Sequence, residues 1–290
     1  MKHLFMIQAH AQPNLLKRLV ERLVSDNHYI LIHIDKKQNL SVFKNVIRED
    51  DHVRFTEKRI NVKWGGESIW KSTLLLLREG LDSTVHYDYF HLLSGMDYPI
   101  VNNEVIDTFF DTCQGKSFMH FDSDEERINW MDSKYKSRLN WNFIEYPILI
   151  RKIVHFIRLG KFMDKFYPHP IPENLYAGWA WFSWSRNVAL WVLEYVRSHP
   201  SEVRKFHNGI ATDEMIFHTI LHPYLNELKI ESNNSLRYID WHPSRPFSTL
   251  PLVLNDEDEE KIRKSGALFC RKVSLPESEL LLNKLDKSIF

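Results

Sequence analysis

Thr212-Asp213-Glu214 is the stretch of this chain best equipped for acid–base chemistry, because two adjacent carboxylates are followed at once by the apolar run Met215-Ile216-Phe217. At the start of a helix both carboxylates gain from the helix dipole and from backbone N–H groups without helical partners, so capping is the plain account of such a pair. Neighbouring helical residues nevertheless point about 100° apart, and one can cap while the other faces a cleft as a general base. Glu214 is expected in that role. His33-Ile34-Asp35 ends the β-branched run from Tyr29, where an acidic group can accept hydrogen bonds from a ribose or a uracil imide; a turn cap is the alternative. Lys63-Trp64-Gly65-Gly66-Glu67-Ser68 sets a glycine pair before a helix, where backbone N–H groups can approach a phosphate or a sugar. It lacks the three glycines of a dinucleotide fingerprint, and a tight turn capped by Glu67 or Ser68 competes with that reading. In Leu92-Leu93-Ser94-Gly95-Met96-Asp97-Tyr98-Pro99 an apolar strand enters a sharp turn that would present Asp97 at the edge of a sheet.

Metal chemistry has weaker support. Two D-x-D strings occur, Asp122-Ser123-Asp124 and Asp256-Glu257-Asp258, but both sit in charged runs that read as solvated surface, and neither follows a strand of the N-terminal half. Fifteen histidines include no H-x-x-x-H pair enclosing a glutamate, and Cys113 and Cys270 lack zinc or redox spacing, so no metal is expected. If a diphosphate leaves without a metal, side-chain cations must meet its charge. Arg245 and the pair Arg271-Lys272 are the candidates.

The segments that must position these groups alternate in character. Leu4–Ala9 and Tyr29–Asp35 read as strands around a helical Asn14–Asp26, and Glu67–Leu81, Tyr89–Leu93 and Glu104–Phe110 continue as helix, strand, helix. That is an α/β pattern, in which ligands bind at the C-terminal ends of strands. Further on, Phe182 begins a strand before the helix Val188–Arg197, and Asp213–Leu221 reads as one short helix. There is no internal repeat or low-complexity linker, so the 290 residues are expected to form a single domain, about 1–120 as its nucleotide-binding half and 121–290 as its acceptor and catalytic half. Lysine plus arginine balances aspartate plus glutamate at 38 each, which gives no global field to attract nucleic acid. The first residues are too short an apolar run for a signal peptide, and a cytoplasmic protein is expected. An aromatic share of 13% suits stacking on sugars as well as core filling.

Eight of these elements stand in one order: Ile7-Gln8-Ala9-His10, His33-Ile34-Asp35-Lys36, Trp64-Gly65-Gly66, Leu93 to Ile100, Gly178-Trp179-Ala180-Trp181-Phe182 with Ser185-Arg186, Thr212 to Phe217, Leu236 to Trp241, and Leu268-Phe269-Cys270-Arg271-Lys272. In this the chain resembles the core-2/I-branching family of β-1,6-N-acetylglucosaminyltransferases, which includes peptide O-xylosyltransferases. The resemblance implies a GT-A-like fold with a mixed central sheet flanked by helices, and an inverting transfer from a UDP-sugar to a glycan hydroxyl without a metal ion. It implies that Glu214 is the base, that Arg245 and Lys272, with Arg271 beside it, receive the diphosphate, and that His10, His33, Asp35, Trp64 and Gly65 surround the nucleotide. Asp97, Trp179, Trp181, Asp213 and Arg138 are expected around the donor and acceptor sugars. N-acetylglucosamine is the expected donor sugar, with xylose or another hexose, a glycoside hydrolase, or a non-catalytic carbohydrate-binding protein as alternatives. The basic, apolar segment 148–166 is expected either to touch a membrane surface, where a lipid-linked acceptor would be met, or to be a buried amphipathic helix.

Overall fold

The computed structural model describes residues 1–125, 139, 143–157, 159–166, 170–242, 245 and 250–287. Its first half is built from β1 (His3–Ala9), α1 (Pro13–Leu23), β2 (His28–Ile34), α2 (Leu40–Lys44), β3 (Val53–Phe55), α3 (Ser68–Leu81), β4 (Tyr89–Ser94), β5 (Asp97–Pro99), α4 (Asn103–Thr112) and β6 (Ser117–Phe121). Strands β7 (Gly178–Ser185), β8 (Ile230–Glu231), β9 (Arg237–Ile239) and β10 (Phe269–Arg271) follow, with helices at Arg186–Ser198 and Ile216–Leu221 among others. Among the described residues the main sheet has seven strands in the order β3-β2-β1-β4-β7-β6-β8. β1 to β4 are parallel, while β7 runs antiparallel to both β4 and β6. This is the mixed, helix-flanked α/β sheet expected from the sequence.

Strands covered on both faces carry apolar residues in a run rather than in alternation, and β1 shows this from Leu4 to Ile7. Its Phe5, Ile7 and Ala9 enter one core with Leu15, Leu16 and Leu19 of α1 and Ile106 and Phe110 of α4. Leu4 and Met6 enter the opposite core with Trp70, Leu74 and Leu77 of α3. The period of two along the strand thus meets the period near 3.6 along each helix, and burial of both apolar sets holds the layers together.

Because β1, β2 and β4 are parallel and in register, their C-terminal ends emerge together at Gln8, Ile34 and Ser94. A second sheet of order β5-β10-β9 lies beyond, with β10 antiparallel to β5 so that Arg271 stands opposite Asp97. One expectation fails here. Asp213–Leu221 is not a continuous helix: Thr212–Glu214 forms a single 3-10 turn, Met215 breaks it with φ −127°, and the α-helix begins at Ile216. The break frees the two carboxylates from a helical face. Among the described residues no helix is long and apolar enough to cross a membrane.

Candidate active site

A cavity of about 460 Å³ opens where the parallel strands end. His10, His33, Asp35, Trp64, Trp179, Trp181, Asp213, Glu214 and Arg271, all singled out from sequence, line it together with Lys37, Ser94, Phe217 and Trp241. A second cavity of about 350 Å³, beside Met1, Asp88 and Arg186, gathers none of them. Arg138 lies outside the described residues.

The nucleotide-side residues are held by the chain's own backbone. His33 is buried, and its Nε2 accepts the Ile60 N–H at 2.9 Å, so the ring is neutral with its proton on Nδ1. Burial lowers its pKa to about 4, with nearby Asp35 pulling the other way. Asp35 accepts from the backbone N–H groups of Lys37 and Val62 and pairs with Lys37 Nζ at 3.2 Å. The loop carrying Ile60 to Val62 is thereby pinned to the end of β2. Trp64 is 89% exposed at the rim, a planar face available for stacking.

Gly65 and Gly66 serve a different purpose from the phosphate cradle considered above. Gly65 adopts φ +71°, a left-handed conformation in which a side chain would be strained, and its carbonyl accepts the Ala211 N–H at 2.7 Å. A Cβ on Gly66 would fall 2.1 Å from Glu145 Oε1. That carboxylate accepts from the Ser68 N–H at 2.9 Å and the Ser68 hydroxyl at 2.8 Å, so Glu145 fills the positive end of α3, which the sequence left open to a phosphate or a sugar or to a capped turn. Trp70 Nε1 donates to Thr212 Oγ1 at 3.1 Å, a second tie between α3 and the turn that bears Glu214. The glycine motif therefore anchors Glu214, which is half-buried in the cavity wall, and Gly65 itself does not line the cavity.

The cationic side needs three corrections. Asp97 is not at a sugar-facing edge but completely buried, and its Oδ1 accepts from Arg271 Nη1 at 2.9 Å. Its other oxygen accepts the Ser94 N–H at 2.6 Å. It positions Arg271, whose guanidinium also donates to Ser94 Oγ and lies 4.2 Å from the centre of the Trp181 ring. Arg245 is not among the cavity residues: it donates to Asp258 and, at 2.6 Å, to the Val253 carbonyl. Lys272 is likewise absent from the lining; burial, reinforced by Arg271 alongside, lowers its pKa. The D-x-D string at Asp256–Asp258 forms a capping box with Asn255. Contrary to the sequence reading, the string Asp122–Asp124 directly follows a strand, β6, although neither aspartate is among the cavity residues.

Sequence reading assigned no role to Lys37, Glu145, Trp241 or Arg237. Lys37 directly follows the His33-Ile34-Asp35-Lys36 motif and Trp241 ends another, so adjacency was their only signal. Glu145 is 77 positions from the residue it caps, and no local pattern marks it. Arg237 is buried beneath the cavity, where it donates to the Leu92 and Phe182 carbonyls and to Ser183 Oγ. Burial pulls its pKa down to about 9, opposed by Asp97.

Comparison with known proteins adds the family. The model described as "Branch: Core-2/I-Branching enzyme" matches residues 4–263. Xylosyltransferase 2 of Rattus norvegicus is 28% identical over 240 residues, 78% of this chain and 25% of that protein. Xylosyltransferase 1 of the same organism is 27% identical over 238 residues, 78% of this chain and 26% of the relative. The chain thus spans about a quarter of the length of these curated relatives. Among solved structures, the apo form of mouse xyloside xylosyltransferase 1 aligns with a TM-score of 0.40 and 11% identity, covering 83% of this chain and 88% of that one. With nearly its whole length matched by the family model, the chain belongs to the core-2/I-branching enzyme family.

Proposed function

We propose that this protein is an inverting glycosyltransferase that moves a sugar from a UDP-sugar to a hydroxyl of a glycan acceptor. The observation that carries the reading is the meeting of Glu214, the aromatic walls Trp64, Trp179 and Trp181, and Arg271 in one cavity at the C-terminal ends of parallel strands. In the proposed reaction Glu214 takes the proton of the acceptor hydroxyl as that oxygen attacks C1 of the donor sugar. The bond from C1 to the diphosphate oxygen breaks on the opposite face, its electron pair stays with the departing UDP, and the configuration at C1 inverts. Arg271, in the cavity wall, supplies positive charge to the leaving group without a catalytic metal, a preorganised electrostatic role, and Lys272 joins it only by turning into the cavity. Arg245 joins them only if it leaves Asp258, and is the less favoured partner.

N-acetylglucosamine and xylose are equally compatible donor sugars, and family relatives named as xylosyltransferases support the second. Titration calorimetry with UDP-N-acetylglucosamine, UDP-xylose, UDP-glucose and UDP-galactose separates them: one UDP-sugar is expected to bind at least tenfold more tightly than the rest, a difference of about 1.4 kcal/mol. Absence of binding by UDP and by all four sugars would overturn the reading, and hydrolysis of a simple glycoside without any nucleotide would favour a hydrolase.

The acceptor side includes a membrane contact in this proposal. The helices Ile148–Phe156 and Leu159–Phe166 expose Ile148, Leu149, Phe156, Phe162 and Phe166, with Arg151, Lys152 and Lys165 beside them. Exposed apolar and basic residues together suit the anionic, cytoplasmic face of a bilayer, where a lipid-linked glycan is presented. In sedimentation with vesicles containing anionic lipid, the protein is expected to pellet, and Leu149→Glu with Phe156→Glu to lower the bound fraction about tenfold. Equal pelleting of wild type and variant would remove this contact.

A further inference from the structure

At the end of the sheet away from the cavity, three side chains with metal-binding chemistry converge although their sequence positions are far apart. His3 begins β1 and His28 begins β2, and the parallel register pairs them side by side. Asp107 comes down on them from α4. Asp107 Oδ1 lies 3.0 Å from His28 Nε2 and 3.5 Å from His3 Nε2. These separations bracket the roughly 3.3 Å edge of a tetrahedron whose metal–ligand bonds are about 2.0–2.1 Å, the lengths zinc makes to imidazole nitrogen and carboxylate oxygen.

The hydrogen bonding within the cluster is incomplete in a way that a cation completes. His28 Nδ1 lies 2.9 Å from the Leu23 carbonyl, an acceptor, so the ring proton belongs there. The lone pair on His28 Nε2 then faces the Asp107 carboxylate, and two acceptors 3.0 Å apart repel unless a proton or a metal ion lies between them. His3 is fully buried, and its Nε2 has no hydrogen-bond partner. The other nitrogen of His3 meets His91 Nε2 at 3.0 Å, and His91 Nδ1 meets Ser183 Oγ at 2.9 Å. When the His91 proton points to Ser183, His3 Nδ1–H donates to His91 and the lone pair of His3 Nε2 is directed at the cluster.

We propose that His3, His28 and Asp107 hold one zinc(II) ion, with water in the fourth position, as a clasp between the beginnings of β1 and β2 and helix α4. Each ligand has the outer partner such sites require: the Leu23 carbonyl for His28, His91 for His3, and Asn27 Nδ2, which donates to Asp107 Oδ2 at 3.1 Å. The Asp107 side chain is 23% exposed, which gives the ion a way in. The role is structural, because the cluster lies at the strand ends opposite those that line the cavity. It is independent of the transfer reaction proposed above, which uses no catalytic metal.

The test uses the full chain without an affinity tag, stripped by chelator and titrated with zinc sulfate. One equivalent is expected to bind, and saturating zinc to raise Tm by roughly 5 °C. Cobalt(II) should show the visible bands of a tetrahedral nitrogen–oxygen site. Asp107→Asn keeps the side-chain shape and is expected to lose the equivalent, the Tm shift and the cobalt bands. Should that variant fold poorly, Asn27→Ala, which removes only the outer hydrogen bond, is expected to weaken zinc affinity about tenfold or more. Failure of the wild type to bind one equivalent would overturn the site. Equal zinc affinity in wild type and in the folded variant would do the same, since the ion would then sit on other histidines.

Discussion

Turnover of a Glu214→Gln variant falls at least about a hundredfold, while its affinity for UDP stays that of the wild type. The amide has nearly the shape of the carboxylate, so the 3-10 turn, the Ala211 to Gly65 hydrogen bond and the tie from Trp70 to Thr212 all persist. What disappears is the group that accepts a proton as the acceptor oxygen attacks. A loss concentrated in kcat, with UDP binding intact by calorimetry, assigns Glu214 to the chemical step. Full activity in this variant would transfer the role elsewhere, and Asp213 in the same cavity wall would be examined next.

Asp97→Ala has the largest expected effect on stability, about 3–5 kcal/mol in urea unfolding. Asp97 is 0% exposed and pairs with Arg271, and its charge also opposes the cost of burying Arg237. Removing it leaves the buried Arg237 and the partly buried Arg271 without that compensation, and a total stability of 5–15 kcal/mol is typical of a folded protein. Asp97→Asn keeps the volume and one acceptor oxygen, so it should lose less stability yet still weaken donor binding, because Arg271 is no longer held against Trp181 by a charge. A loss below about 1 kcal/mol in Asp97→Ala would show that the pair is not the support described.

These two residues mark what could be read from the chain and what could not. The strands at Leu4–Ala9 and Tyr29–Asp35 and the helix ending at Leu81 match the observed β1, β2 and α3 to within a residue or two. Glu214, Trp179 and Trp181 were recognisable from their motifs, and the fold brings them to one cavity. Asp97 was visible as a turn residue, but its burial depends on β10 pairing antiparallel with β5, which sets Arg271, 174 positions away, opposite it. Glu145 at the head of α3 was equally hidden, and so was the pairing of Arg245 with Asp258. The His3, His28 and Asp107 cluster has no short-spacing signature in the sequence, because strand register and not chain proximity brings its members together.

The sequence by itself determined the alternation of strands and helices, the identity of the carboxylate and aromatic residues at the strand ends, and the family pattern they form. Those features are local: apolar periodicity, β-branching and turn residues act within a few positions of one another. Only the tertiary structure decided which charged groups are buried, which helix end is already filled, and which histidines meet. Pairing of a buried charge depends on the surroundings that distant segments create when they exclude water, and a one-dimensional pattern does not carry that information.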